Sequence, residues 1–146
     1  MDDTTTVEIQ ALHSIPFFAG LSDEDLQGVI SIGKPVSFGP QQTIVSRGDE
    51  GDAMYVIVKG MATVDVGGRE HKLKQGDFFG EMALLGSRRR MATVRSAEPV
   101  LALRIDANVF NSFLLDHPTI AVAMLRATIE RLREVQERID AWMGTG

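Results

Sequence analysis

Glu81 and Arg90 stand nine residues apart in the stretch FFGEMALLGSRRRMATV, Phe78 to Val94. Gly80 and Gly86 bracket a single helical turn, EMALL. The first turn of a helix presents backbone N–H groups without intrahelical partners, and with the helix dipole these favour an anion. An arginine returning on the next strand would close the other side of that anion, because its planar fork holds two phosphate oxygens at once, as lysine cannot. The Glu81 carboxylate can accept hydrogen bonds from hydroxyls such as a ribose offers. Together these groups describe a cradle for a small phosphorylated sugar.

Such a cradle needs a rigid frame, and the middle of the chain reads as strands. KPVSF (34–38), TIVSR (43–47), MYVIVKG (54–60), MATVDV (61–66) and EHKLKQ (70–75) are short and bounded by the turn-forming FGPQQ, GDEGD and VGGRE. Gly67-Gly68 is a two-residue hairpin signal. MATVRS and VLALRI add two further strands. Both ends read as helices. Ser22 precedes Asp23, Glu24 and Asp25 as an acidic N-cap, and Asp106 is placed to cap ANVFNSFLLDH, which Pro118 ends. A long helix then runs from about Thr119 to Met143, with Leu125, Ile129, Leu132, Ile139 and Trp142 recurring at helical spacing. Arg126–Glu130, Arg133–Glu137 and Glu134–Arg138 supply opposite charges at i,i+4. The expected fold is mainly β with flanking helices. It is an antiparallel, jelly-roll-like β-roll of about eight strands between N-terminal helices and two C-terminal helices. The expected division is 1–33 as an N-terminal helical segment, 34–106 as the roll with the motif at 79–93, and 107–143 as the C-terminal helices of one domain.

Composition narrows the function. The 146 residues are 44% hydrophobic, with a formal net charge of −5, which argues against a surface built to coat nucleic acid. No cysteine is present, so disulfides, thiolate metal sites and cysteine nucleophiles are out, and a cytoplasmic setting is expected. The acidic start MDDTTTVEIQ is unlike a signal peptide, and no apolar run approaches the ~20 residues needed to cross a bilayer. His13, His71 and His117 are isolated, which disfavours a cupin-type metalloenzyme, and Ser14, Ser46 and Ser87 lack the setting of a nucleophile. No enzyme, and no cofactor, is expected.

The 79–94 motif resembles the phosphate-binding cassette of the cyclic-nucleotide-binding domain family. That family occurs in regulatory subunits of cAMP-dependent kinase, in catabolite activator protein and in cyclic-nucleotide-gated channels. Its pattern is matched by Phe79, Gly80, Glu81, Met82, Ala83 and Leu84, then by Arg90, Met91, Ala92, Thr93 and Val94. RGDEGDAMYVIVKGMATV resembles the family's strand–turn–strand segment, and the likeness runs over roughly residues 8 to 142. The resemblance implies that Arg90 holds an equatorial phosphate oxygen and Glu81 the ribose 2′-hydroxyl. Backbone N–H groups around Gly80, Met82, Ala83 and Ala92 would complete the anion site. Thr93 points to the opposite face and stays outside it. The register selects Arg90, leaving Arg88 and Arg89 as solvated charges; Arg89 stands where the family often has proline, which would loosen the turn. Met91 follows the arginine where cGMP-preferring members often carry threonine, which tilts the ligand toward cAMP over cGMP.

The resemblance implies a sensor whose last helix moves over the base, with Arg131, Leu132 or Val135 as candidate lids. It also implies an effector protein or domain, or self-association through that helix; from the net charge and the lack of a long apolar run, neither nucleic acid as a partner nor direct membrane insertion is expected. The alternative is an interaction protein that keeps the fold and binds no nucleotide. No helix-turn-helix fits after the last helix, so either a stand-alone sensor or a piece of a larger protein is expected. Gly48, Gly51 and Gly60 are read as structural, permitting positive φ at turns and bulges.

Overall fold

The computed structural model describes residues 3–86 and 88–144; Ser87 lies outside them. Helix α1 (Asp3–His13), a 3-10 turn (Pro16–Phe18) and α2 (Asp23–Ser31) come first. Among the described residues ten strands follow: β1 (Lys34–Phe38), β2 (Thr43–Val45), β3 (Glu50–Gly51), β4 (Ala53–Lys59), β5 (Ala62–Val66), β6 (Arg69–Leu73), β7 (Phe78–Phe79), β8 (Arg88–Arg89), β9 (Thr93–Ser96) and β10 (Val100–Asp106). A second 3-10 turn, Glu81–Leu84, lies between β7 and β8, and α3 (Ala107–Asp116) and α4 (Pro118–Trp142) close the chain. The expected roll of about eight strands is thus divided more finely. The extra strands, β3, β7 and β8, are two residues long and too short to show a period in sequence.

Every described strand pairing is antiparallel. One sheet runs β1-β10-β4-β7, the other β2-β9-β5-β6, and β3 pairs with β8. The Gly67-Gly68 hairpin forms as its residues predict, with Val66 opposite Arg69. Strand β4 explains how the layers hold together. All its residues from Ala53 to Val58 are buried, because the strand is covered on both faces. Met54, Val56 and Val58 join the core formed with the helices, around Leu12, Ile15, Phe18 and Phe110. Ala53 and Tyr55 face the opposite way, into the roll with Val100 and Ala102. An all-apolar run is what such a strand needs, and AMYVIV supplies it.

The helix ends follow sequence rules in one place and depart from them in another. Ser22 Oγ accepts the backbone N–H of Asp25 at 3.1 Å, as expected of an N-cap. Ser22→Ala should therefore cost about 1 kcal/mol, read as a lower urea midpoint with an unchanged slope. Asp106 occupies the N-cap position of α3 but makes no side-chain cap bond. Its carboxylate accepts from Arg104 Nε at 2.8 Å instead, and a bond between two opposite charges wins over a cap to an uncharged amide. The first α3 amide, at Ala107, donates to the Asp52 carbonyl at 2.8 Å. Of the i,i+4 charge pairs expected along α4, none is formed as an ion pair among the described residues; Arg133 meets Glu130 at 3.5 Å, three residues back. Those side chains are solvated, and the alternatives differ little in energy.

Candidate functional site

The Arg90 side chain is buried and Arg89 exposed, while the side chain of Arg88, expected to be a solvated charge, lies outside what the structure describes. The Arg90 side chain is 8% exposed, although its neighbours on either side are solvent-facing residues. Two backbone bonds hold it in place: Arg90 N–H donates to the Asp49 carbonyl at 2.7 Å, and Gly48 N–H donates to the Arg90 carbonyl at 2.9 Å. From there the guanidinium reaches inward, and Nη2 donates to the Ala53 carbonyl at 2.8 Å. Asp52 Oδ1 lies 3.7 Å away but is 70% exposed, so it balances the arginine only weakly. Gly80 makes room for this approach. It sits in the left-handed region at φ 79°, and a Cβ there would meet Arg90 Nη1 and, at 2.9 Å, the Ala53 carbonyl.

The 3-10 turn that starts after Gly80 carries Glu81 to the same place. Glu81, Arg90, Phe79, Gly80, Met82, Ala83, Met91 and Ala92 all line one cavity of about 250 Å³. Val45, Val64 and Val94 form its apolar wall from the second sheet. All eight residues singled out from the sequence are therefore brought together. A buried guanidinium at one part of a partly apolar cavity, with a carboxylate on its lining, suits a ligand bearing an anion, hydroxyls and a flat apolar group.

A sequence profile of the family described as cyclic nucleotide-binding domain matches residues 35–117, more than half of the chain. The chain belongs to the cyclic nucleotide-binding domain family. It is 36% identical to a cGMP-dependent protein kinase of Toxoplasma gondii over 72% of this chain and 11% of the kinase. It is 26% identical to a CRP-like cAMP-activated global transcriptional regulator of Mycobacterium tuberculosis over 84% of this chain and 57% of the regulator. The chain thus spans only part of the length of these relatives. Among solved structures, the N-terminal domain of a transcriptional regulator from Streptomyces coelicolor A3(2) superposes with a TM-score of 0.75 and 28% identity. That match covers 88% of this chain and 94% of the other.

Within the cyclic nucleotide-binding fold, four expectations need correction. Arg89 is not simply a solvated charge: its Nη1 donates to the Gly48 carbonyl at 2.8 Å, and the residue lines the cavity. The turn before Arg90 is not loosened by the arginine at 89, because Arg88 and Arg89 pair with Gly51 and Glu50 as β8 against β3. Gly51 is not a positive-φ turn residue; it is a buried strand residue on the cavity wall. The Ala83 N–H is already donated to the Gly80 carbonyl at 3.0 Å, closing the 3-10 turn, so that amide is engaged within the turn. Thr93 behaves as expected: its Oγ1 accepts from Arg47 N–H at 3.0 Å, and it does not line the cavity.

One cluster escaped the sequence reading. Arg104 Nη1 donates to Tyr55 Oη at 2.7 Å, Nε to Asp106 at 2.8 Å, and Nη2 lies 3.3 Å from Asp52. Burial works against the Arg104 charge, but the Asp106 hydrogen bond, with Tyr55 and Asp52 nearby, outweighs it and holds the guanidinium pKa above its ordinary value. Tyr55 in turn stacks on Phe79, with ring centroids 5.0 Å apart and planes 15° from parallel. The cluster therefore props the residue that leads into Gly80. Alternation along VLALRID was the available signal, since Arg104 shares the parity of Val100 and Ala102, which face into the roll.

Among the described residues no group of His, Cys, Asp or Glu could hold a metal ion, and no helix is long and apolar enough to cross a membrane. None of Arg131, Leu132 and Val135 lines the cavity.

Proposed function

We propose that this chain is a ligand-sensing regulatory module that binds a 3′,5′-cyclic nucleotide, cAMP in preference to cGMP, and carries no catalytic activity of its own. The observation that supports it most is the placement of the nearly buried Arg90 guanidinium and the Glu81 carboxylate on one small cavity. In this reading Arg90 binds the cyclic phosphate, with Gly80, Met82, Ala83 and Ala92 surrounding it, and Glu81 binds the ribose 2′-hydroxyl. Phe79 supports the turn, and Met91 stands near the base, where its thioether offers no partner to a guanine amino group. The names of the relatives include both a cGMP-dependent and a cAMP-activated protein, so the preference rests on Met91 alone.

The output is a change in the position of the C-terminal helices. Asn111 of α3 donates to the Leu84 carbonyl at 3.4 Å, and Ala107 N–H to the Asp52 carbonyl, so α3 rests on the back of the cassette. The break at His117–Pro118 separates it from α4. A ligand shifts such an equilibrium only as far as it binds one arrangement better than the other. Residues 1–33, 34–106 and 107–143 then act as helical support, ligand-binding roll, and hinge with lid helices. An effector protein or domain, or a second copy, would read the movement. The cysteine-free composition fits a cytoplasmic setting.

Calorimetric titration with cAMP and with cGMP tests the reading. Saturable binding with cAMP the tighter supports it. Absence of heat with both nucleotides, on protein shown to be folded and free of carried ligand, overturns it in favour of a fold-retaining interaction protein. Glu81→Ala should weaken binding by about 1.5–3 kcal/mol, the worth of a hydrogen bond to a charged group, and Glu81→Gln by less, since its amide oxygen still accepts. The loss should shrink for a 2′-deoxy nucleotide, which lacks the hydroxyl.

A further inference from the structure

Asp52 stands between two guanidinia, and the three side chains differ in how tightly they are held. Arg104 is fixed on several sides. Its Nη1 donates to Tyr55 Oη at 2.7 Å, its Nε to Asp106 at 2.8 Å, and its Cζ lies 5.6 Å from the centroid of the Tyr55 ring. Arg90 is fixed by the Ala53 carbonyl, which its Nη2 meets at 2.8 Å. Asp52 is the loose member, with a side chain 70% exposed. Its Oδ2 lies 3.3 Å from Arg104 Nη2, at the long end of hydrogen-bond range, while Oδ1 stays 3.7 Å from Arg90 Nη2, beyond that range. The carboxylate thus leans toward Arg104, which does not line the cavity, and away from Arg90, which does. A nearly buried cation is stabilised by whichever anion approaches it closely, so a carboxylate and a phosphate compete for Arg90.

We propose that Arg104 is a positioning residue for the anion site: it holds the Asp52 carboxylate on its own guanidinium and so keeps Arg90 open to the phosphate of a ligand. The proposal rests on the reading of the cavity as a cyclic nucleotide site and adds the residue that sets its affinity from outside. Charge supports it. Arg90, Arg104, Asp52 and Asp106 sum to zero, so a singly charged phosphate meets a balanced cluster. Without Arg104 the cluster is negative before the ligand arrives, and the exposed Asp52 side chain can close the 3.7 Å gap to Arg90. The ligand must then displace a carboxylate or share the guanidinium with one. Asp106 would add little to that competition. It already occupies the N-cap position of α3, where a released carboxylate can accept backbone amides of the first turn. The main chain does not depend on the exchange either, because Ala107 N–H donates to the Asp52 carbonyl and not to its side chain.

Calorimetry with cAMP on wild type, Arg104→Met, Asp52→Asn and the double variant tests the proposal, with the folding of each checked by urea denaturation. Methionine keeps the length of the stem and removes the charge. Arg104→Met should weaken cAMP binding by roughly three- to thirtyfold in the wild-type background, and by less than about twofold in the Asp52→Asn background. The wild-type loss should also shrink as salt is raised, since Asp52 is exposed and its field is screened. Arg104→Lys, which keeps a cation beside Asp52, should recover much of the affinity, and it gives a second measurement should the methionine variant fold poorly. A loss of the same size in both backgrounds would mean that Arg104 acts only by propping Tyr55 and Phe79, and would overturn the proposal. An Arg104→Met protein that binds like wild type would do the same. Absence of binding by the wild-type protein is a separate result: it removes the nucleotide reading itself, and this proposal with it.

Discussion

Arg90→Ala is expected to weaken cyclic nucleotide binding by well over tenfold while the fold survives. The wild-type guanidinium is nearly buried and held by the Ala53 carbonyl, so in the proposed role it would meet the phosphate already desolvated and oriented. Truncating one side of a buried, hydrogen-bonded charge pair costs about 2–5 kcal/mol, or roughly thirty- to several-thousand-fold in affinity. The loss to stability should be smaller, about 1 kcal/mol, for the bond to Ala53. Arg90→Lys should also bind poorly, since a point charge on a flexible stem cannot supply the fork. Arg89→Ala is the comparison: that side chain also lines the cavity, but it is exposed and its guanidinium is engaged with the Gly48 carbonyl, so its removal should change affinity less than that of Arg90. Calorimetry on the three variants decides the matter. Equal binding by wild type and Arg90→Ala would remove Arg90 from the site.

Gly80→Ala should damage stability and binding together. Gly80 is at φ 79°, where an L side chain costs about 1–2 kcal/mol. The added methyl would also press on the Ala53 carbonyl at 2.9 Å and on the Arg90 guanidinium. Strain of that kind in a packed site costs typically ~1–3 kcal/mol more. Either the 3-10 turn carrying Glu81 shifts or the guanidinium leaves its place, and both outcomes open the cradle. Urea denaturation should report about 2–5 kcal/mol lost, and titration should report weakened binding even at temperatures where the variant is folded. A Gly80→Ala protein that melts and binds like wild type would show that the close approach is not what shapes the cavity.

Much of the frame was legible because it depends on neighbours in the chain. The short runs bounded by turn residues, the double glycine of the 67–68 hairpin and the Ser22 cap each need only a few consecutive residues to specify a conformation. The two-residue strands β3, β7 and β8 were invisible for the same reason, since two residues carry no period. The candidate site was legible through Gly80, Glu81 and Arg90 at the family's spacing. Its supports were not: the Arg104–Tyr55–Phe79 cluster joins positions 104, 55 and 79, and nothing local links them. Asp106 shows the converse, a local signal for a cap overruled by a guanidinium two residues away.

Residue order alone settled the mainly β roll with helical ends, the grouping of a glycine, a carboxylate and an arginine, and the apolar seam of the last helix. These are matters of period and spacing along one backbone. Tertiary structure decided that Arg90 lies inside while Arg89 stays exposed, because that requires the Ala53 carbonyl, 37 residues earlier, to stand where a guanidinium can reach it. It also decided which α4 face stays bare, because only the packed Phe17 and Phe18 cluster determines which of two apolar faces the chain covers for itself.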